Sequence, residues 1–282
     1  GLVTSQGAAF KTAEVSTSTP FLLKLTSSGV PVFSTYLTAP GSRPAGKPDP
    51  GGGKHDVTSA PFGLTVNDAG EAYVVGQSSA ADFPSTPGAL NTKDSNNRDA
   101  FVIKVNASGT AIPIVARIGF NDVDRATDVA LSPDGSILVG GKSASVDFSG
   151  NDSFQSTVHF SQNGQITYLY DREFGFVAKL DASLSRIIFM GAIGAFGGDL
   201  VDLAYEPAPR PIKIAVDSSG YVYAAGTGAS DRTLPVMGML SGTPNEGAFL
   251  MKISPNGGQR YSTFLGEGVA TGALPGFGKP GR

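Results

Sequence analysis

The stretch Phe101-Val-Ile-Lys104-Val decides the fold of this chain, because it recurs three more times with little change. The other copies are Phe21-Leu-Leu-Lys24-Leu, Phe176-Val-Ala-Lys179-Leu and Phe249-Leu-Met-Lys252-Ile. Successive lysines lie 80, 75 and 73 residues apart, and a regular period of this size predicts a repeat architecture. A position that every repeat needs is a packing position, whereas a catalytic group is needed once.

A second pattern precedes three of the four copies. It is an apolar run, a polar turn ending in glycine, another apolar run and a closing glycine. The two glycines are 6 residues apart each time: Gly70 and Gly76, Gly135 and Gly141, Gly220 and Gly226. This spacing predicts a β-hairpin, because glycine adopts positive φ without a Cβ clash.

The lysine motif predicts a second hairpin in each repeat. Its turns end in Gly29, Gly109 and Gly257, but the third copy has Leu184 at this position and predicts a different turn there. Two hairpins per repeat make four short antiparallel strands, which is typical of a β-propeller blade. Nearly continuous apolar runs such as Tyr73-Val-Val predict strands that are buried on both faces.

The chain opens in the middle of a repeat. Ser5-Gln-Gly7 matches the end of a third echo, Asp82-Phe83-Pro84-Ser-Thr-Pro-Gly88, and no first hairpin precedes Lys24. The prediction is therefore an all-β, propeller-type protein with about three and a half repeats. Three explanations for the missing half remain open: the chain is part of a larger propeller, two copies complete a seven-bladed ring, or another subunit covers the open ends.

The repeats define the expected domain organisation. Residues 1–266 form the propeller repeats, and residues 267–282 form a C-terminal extension or linker. A projecting hairpin is expected within 149–173, because Asn163-Gly164 is a strong two-residue turn signal. The expected units are a half-repeat at 1–37, a Pro/Gly-rich loop at 38–57 and full repeats at 58–120, 121–200 and 201–266.

These residues resemble the SBBP family of bacterial and archaeal β-propeller repeats. The resemblance covers nearly all of residues 1–266, and the third repeat departs most from it. It implies a secreted, cell-surface or periplasmic prokaryotic protein, and it implies no single activity. The matching segments are Asp82-Phe-Pro, Asp99-Ala-Phe-Val-Ile-Lys104, Thr127-Asp128-Val-Ala, Ile214-Ala-Val-Asp217-Ser-Ser-Gly220 and Tyr261-Ser-Thr-Phe-Leu-Gly266.

Composition excludes several classes of function. Charged residues are 16% of the chain, the net charge is −3, and no basic stripe is present, so a nucleic-acid partner is not expected. With no cysteine, the chain forms neither disulfides nor thiolate metal sites. No run of about 20 apolar residues predicts a transmembrane segment.

Candidate site residues are few. The repeated lysines are interpreted as packing positions whose ammonium groups reach an acid or the surface, rather than as a ring of cations. No catalytic residue is predicted, since the two histidines, His55 and His159, have no visible partners. Asp122, Asp124 and Asp128 are candidate oxygen ligands for Ca²⁺, with a turn-capping role preferred for Asp128. Candidate binding residues lie on the 149–173 insertion: Phe154, His159, Tyr168 and Tyr170.

The sequence thus favours a non-catalytic scaffold or accessory subunit of a larger assembly. The expected partner is a protein, or a second copy joined through open blade edges, with a glycan as an alternative. No cofactor is expected, apart from the calcium alternative. The competing hypothesis is a polysaccharide lyase or hydrolase with a carboxylate or calcium site at one propeller face.

Overall fold

The computed structural model of the chain describes residues 4–11, 19–37, 59–79, 83–92, 98–120, 123–143, 145, 174–193, 212–229 and 247–265. Within these ranges all regular secondary structure is β-strand, in four antiparallel sheets. They contain no helix of the length and apolarity that crossing a bilayer requires. The all-β prediction is therefore confirmed.

The sheets follow one another along the chain, and each is a simple meander. Sheet 1 contains β1 (Phe21–Leu25) and β2 (Pro31–Tyr36). Sheet 2 contains β3 (Ser59–Val66), β4 (Ala72–Ser78), β5 (Asp99–Val105) and β6 (Ile114–Ile118). Sheet 3 contains β7 (Asp124–Leu131), β8 (Ile137–Ser143), β9 (Phe174–Leu180) and β10 (Ile187–Ile193). Sheet 4 contains β11 (Lys213–Val216), β12 (Val222–Ala229), β13 (Gly247–Ile253) and β14 (Gln259–Leu265).

The hairpin turns form where the glycine pattern predicts them. Gly70 has a φ of 78°, and its N–H donates to the carbonyl oxygen of Asn67 at 2.8 Å. Gly109 has a φ of 70° and makes the same bond to Asn106 at 3.0 Å. An L side chain is disfavoured at such φ values, so the turn chemistry explains the repeated glycine.

The prediction of a different turn at Leu184 is wrong. Leu184 has a φ of 54°, and its N–H donates to the carbonyl oxygen of Asp181 at 2.9 Å, as in the glycine turns. Its side chain is fully buried in the core between sheets 2 and 3. The Asp181 carboxylate also accepts the N–H groups of Ser185 and Arg186. Burial and these bonds offset the strain of a left-handed leucine.

The core consists of one apolar layer between each pair of consecutive sheets. Strand β5 shows how one strand serves two layers: Phe101, Ile103 and Val105 pack with sheet 1, while Ala100 and Val102 pack with sheet 3. The strand is therefore buried on both faces, as its continuous apolar sequence predicts. In β9 and β13 the residues matching Phe101 likewise face the preceding sheet.

The closing glycine of each first hairpin lies opposite the phenylalanine of the lysine motif. The aligned pairs are Gly76 with Phe101, Gly141 with Phe176, and Gly226 with Phe249. A Cβ added at Gly76 would lie 2.7 Å from the Phe101 ring, and one at Gly226 would lie 3.0 Å from the Phe249 ring. The ring occupies the space of a side chain, so the position requires glycine.

In sheets 1 and 2, a loop segment ahead of the lysine motif borders the outer edge of the sheet. The N–H of Val115 in sheet 2 donates to Thr86 Oγ1 at 2.9 Å. In sheet 1 the N–H of Ser34 donates to Ser5 Oγ at 2.9 Å. Ser5 and Thr86 are the residues that the third sequence echo aligns, so sheet 1 has the second half of the repeat in its usual arrangement.

Candidate functional site

Several predicted site residues lie outside the described residues. These are the four insertion residues Phe154, His159, Tyr168 and Tyr170, and the candidate calcium ligand Asp122. The Pro/Gly-rich loop at 38–57 and the predicted hairpin within 149–173 lie outside them as well. Asp124 and Asp128 are described, and both belong to β7.

The carboxylates of Asp124 and Asp128 have different partners. Asp128 Oδ2 accepts the N–H of Ile214 at 3.0 Å, and Oδ1 lies 3.5 Å from Lys213 Nζ. Asp128 thus joins sheet 3 to the first strand of sheet 4 instead of capping a turn. Asp124 Oδ2 accepts the N–H of Phe120 at 2.8 Å. Across the described ranges no group of three or more His, Cys, Asp or Glu residues is placed to hold a metal ion.

Asp124 belongs to a buried charge cluster with Asp99 and Arg117. Arg117 Nη2 donates to Asp99 Oδ2, and the three residues are 0–6% exposed. Burial raises the pKa of Asp124 to about 7, and the nearby charge of Asp99 adds to this, against hydrogen bonds from Ser143, Phe120 and Ser145. The three side chains are shielded from solvent. The cluster is therefore part of the packing of sheets 2 and 3, and it is not accessible to a polysaccharide substrate.

Replacing Asp124 with asparagine is expected to remove a pH dependence of stability between pH 5 and pH 8. The carboxyl has a pKa near 3.8 when unfolded and about 7 when folded, so the folded state holds the proton more tightly. The contribution of Asp124 to the free energy of unfolding is therefore largest below pH 4, falls as the pH rises, and is lost above pH 7. The loss between pH 5 and pH 8 is about 2–3 kcal/mol. Urea unfolding of both proteins at pH 5, 6.5 and 8 measures it, and parallel curves would contradict the assignment.

Three of the four repeated lysines contact acids, as the packing interpretation predicts. Lys104 Nζ lies 2.9 Å from Glu71 Oε2, and this bond holds the pKa of Glu71 below its ordinary value. Lys179 Nζ lies 2.8 Å from Asp134 Oδ2, and Lys252 Nζ lies 3.8 Å from Asp217 Oδ2. In each of these sheets the acid belongs to the first hairpin.

The first lysine differs from the other three. Lys24 is exposed, and its Nζ donates to the carbonyl oxygen of Ala107 in sheet 2 at 3.3 Å. It forms no ion pair with a carboxylate in the part of the chain that the structure describes. Within the described ranges, sheet 1 contains no hairpin of the kind that supplies the acid in the other sheets.

One face of sheet 1 is apolar and uncovered. We call it the open face: Phe21, Leu23, Leu25 and Val32, which are 42–52% exposed. The residues that match Phe21 in the other sheets, Phe101, Phe176 and Phe249, are fully buried against the preceding sheet. Exposed apolar patches are common on the interaction surfaces of proteins.

A second uncovered row lies on β3, the first strand of sheet 2. We call Phe62, Leu64 and Val66 the β3 strip, and they are 45–55% exposed. The matching residues of sheet 3 include Val129, which is buried because β7 lies against β3, β4 and β5 of the preceding sheet. Sheet 1 has no strands equivalent to β3 and β4, so the β3 strip has no such cover within the described residues.

Comparisons with known proteins found no match, either to a protein-family model or to a curated protein sequence. The resemblance to SBBP repeats therefore remains a prediction from the motifs.

The most informative site residues were not singled out from the sequence. Most residues of the open face and the β3 strip occupy repeat positions that are buried or partly buried in other copies, so their residue type alone does not mark them. Among the described residues no sheet or first hairpin precedes β1, so neither row has the cover that its counterparts have. Asp99 and Arg117 carry no signal, because their pairing depends on the alignment of β5 with β6.

Proposed function

We propose that this chain is a non-catalytic, propeller-type scaffold that joins a larger assembly through sheet 1. The observation that carries the proposal is the open face, where Phe21, Leu23 and Leu25 are about half exposed although their counterparts in the other sheets are buried. Burying four such side chains against a partner contributes roughly 1 kcal/mol each. In this proposal the four sheets are successive blades, and the open face packs against a partner subunit.

Two further features support a structural role over a catalytic one. Two of the candidate calcium ligands are described, and both have structural contacts. Asp124 belongs to the buried cluster with Asp99 and Arg117, and Asp128 bonds to the first strand of sheet 4. Three of the four repeated lysines, Lys104, Lys179 and Lys252, contact acids of their own sheets. The resemblance to SBBP repeats adds a location to the proposal: the exterior, the cell surface or the periplasm of a prokaryote.

A photo-crosslinking amino acid at Val32 tests this function in the source cells. We expect one partner protein, identified by mass spectrometry of the crosslinked peptide, and we expect Leu23→Asp to abolish the adduct by placing a charge in the interface. The same crosslinker at Ser218, an exposed turn residue of sheet 4, is the matched control and should give no such adduct. Absence of any adduct at Val32, or cleavage of a polysaccharide by the purified chain, would contradict the proposal.

A further inference from the structure

We propose that residues 83–92 form a strap that closes the outer edge of sheet 2 and prevents β6 from pairing with the same strand of a second copy of the chain. The inference goes beyond the proposed function and does not depend on it, because it concerns a strand edge of sheet 2 rather than the open face of sheet 1. Three observations support it: the hydrogen bonds along β6, the packing at both ends of the strap, and the same arrangement in sheet 1.

Strand β6 has an edge that needs protection. It is the last strand of sheet 2, so one of its edges has no neighbouring strand among those described. Its sequence, Ile114-Val-Ala-Arg-Ile118, is mostly apolar, and its charged residue donates to Asp99 in the buried cluster. Proteins often protect an edge strand with an exposed charge or with a covering segment. The charge of β6 is buried, which leaves the covering segment.

Thr86 occupies both backbone groups of one edge residue. The N–H of Val115 donates to Thr86 Oγ1 at 2.9 Å, and the N–H of Thr86 donates to the carbonyl oxygen of Val115 at 3.0 Å. The chain then turns away, because the N–H of Ala89 donates to the carbonyl oxygen of Thr86 at 3.0 Å. Pro87 and Gly88, whose φ is 85°, are the central residues that a type II turn favours.

The strap also occupies the next two outward N–H groups, which belong to alternate residues of the strand. The N–H of Arg117 donates to the carbonyl oxygen of Leu90 at 2.8 Å, and Asn91 forms a parallel β-bridge with Arg117. The N–H of Gly119 donates to Thr92 Oγ1 at 2.6 Å. These bonds leave no outward N–H group between residues 115 and 119 for a strand of another molecule.

Side-chain packing anchors the strap in the core layers on both sides of sheet 2. At its start, Phe83 is buried and stacks on Phe101 with 5.1 Å between the ring centroids, in the layer shared with sheet 1. Ala89 and Leu90 pack against the layer shared with sheet 3, and the N–H of Leu90 donates to the carbonyl oxygen of Leu184 at 2.7 Å. The strap therefore passes around the edge from one layer to the other.

Sheet 1 has the same arrangement at β2. Ser5, which matches Thr86, accepts the N–H of Ser34 on its Oγ at 2.9 Å and donates its own N–H to the carbonyl oxygen of Ser34 at 3.1 Å. The N–H of Ala9 donates to the carbonyl oxygen of Gly109, a turn residue of sheet 2, at 3.0 Å. The hydroxyl contact thus occurs on two edges with different sequences, and serine makes it as well as threonine.

A second copy of the chain is the partner that an open strap would admit. Two identical strand edges can pair antiparallel about a twofold axis, so β6 offers the same edge to its own counterpart. Short apolar segments rich in β-branched residues and poor in charge favour such pairing. Every copy carries this segment, so its effective partner is present whenever the chain is concentrated.

The test compares two double variants of the full chain, Thr86→Val with Thr92→Val and Thr86→Ser with Thr92→Ser. Valine keeps the shape of threonine but removes the oxygen that accepts the edge N–H, whereas serine keeps it. By hydrogen exchange and mass spectrometry, we expect residues 114–119 to exchange at least about tenfold faster in the valine variant than in wild type. By sedimentation velocity, the valine variant should associate more than wild type as its concentration rises, and the serine variant should match wild type.

Two controls make the result specific to the edge of β6. The added association should persist with Leu23→Asp, which disrupts the open face. Wild-type exchange in residues 101–105 of β5 shows that the valine variant keeps its sheet. If that protection is lost, the single variant Thr86→Val is measured instead and judged by the same criteria.

Unchanged exchange in residues 114–119 of the valine variant would overturn the strap. Faster exchange without added association would overturn its role against a second copy. Both results are independent of the partner crosslinked at Val32, so failure of this inference is distinguishable from failure of the proposed function.

Discussion

Arg117→Met is expected to lower the free energy of unfolding by about 3–5 kcal/mol. The guanidinium is the partner of Asp99, whose residue is 1% exposed, and the buried carboxyl of Asp124 is close enough to repel the charge of Asp99. Methionine keeps most of the volume but leaves Asp99 ionised, buried and without its cation. Such an uncompensated charge is far more costly than the loss of the ion pair itself.

The pH dependence of this loss identifies its electrostatic origin. The pKa of Asp124 is about 7, so at pH 8 this neighbour is also ionised and repels the charge of Asp99; the penalty for losing Arg117 should therefore be smaller at pH 5 than at pH 8. The double variant Arg117→Met with Asp99→Asn should recover most of the stability. Arg186→Met, at an exposed arginine of sheet 3, is the control and should change stability by less than about 0.5 kcal/mol. A loss that is equal at both pH values would assign the effect to packing instead.

Gly141→Ala is expected to destabilise the chain by about 3 kcal/mol, with a fall in Tm of roughly 6–10 °C. The added methyl group would overlap both the carbonyl oxygen of Arg125 in β7 and the ring of Phe176. A backbone oxygen cannot move aside without separating the two strands. The methyl group therefore disrupts the sheet itself, and thermal unfolding measures the loss.

A second glycine of the same sheet separates this contact from ordinary glycine effects. Gly135 has a φ of +83°, and the nearest atom to an added Cβ is Ala182 Cβ at 3.9 Å. Gly135→Ala should therefore lower the free energy of unfolding by only about 1–2 kcal/mol, which is the cost of placing alanine at positive φ. Phe176→Leu should be less harmful in the Gly141→Ala background than in wild type, by at least about 1 kcal/mol. A smaller loss of stability from Gly141→Ala than from Gly135→Ala would contradict the conclusion that the Phe176 ring occupies the side-chain space at Gly141.

Much of the fold follows from the repeat alone. Gly70 and Gly135 mark their turns by a requirement for positive φ, and the motif phenylalanines mark buried strands by their apolar neighbours. Both requirements depend on neighbouring residues of the chain, so the sequence alone predicts them. Leu184 is the exception, because its left-handed turn is stabilised by burial in a layer formed with the preceding sheet.

The contacts that define the candidate site depend on register and stacking. The sequence shows a closing glycine at Gly76, but only the alignment of β4 with β5 shows that the Phe101 ring lies over it. Asp128 occupies a position that favours a turn, yet it bonds to Ile214 of the next sheet, 86 residues away. The open face consists of residues whose type predicts a core, and their exposure depends on which strands lie beside them.

The central claim is that β1 pairs on one side only among the described strands and has an uncovered apolar face, whereas β5, β9 and β13 pair on both sides and bury their motif phenylalanine against the preceding sheet. Hydrogen exchange of the purified chain, followed by mass spectrometry, tests it most directly by comparing residues 21–25 of β1 with residues 101–105 of β5. These segments are the same part of the repeat, so they differ in their neighbours rather than in their pattern. We predict exchange in β1 at least about 100-fold faster than in β5, because β1 pairs on one side only among the described strands and opening it exposes little new surface. Equal protection of the two segments in the isolated chain would contradict the account.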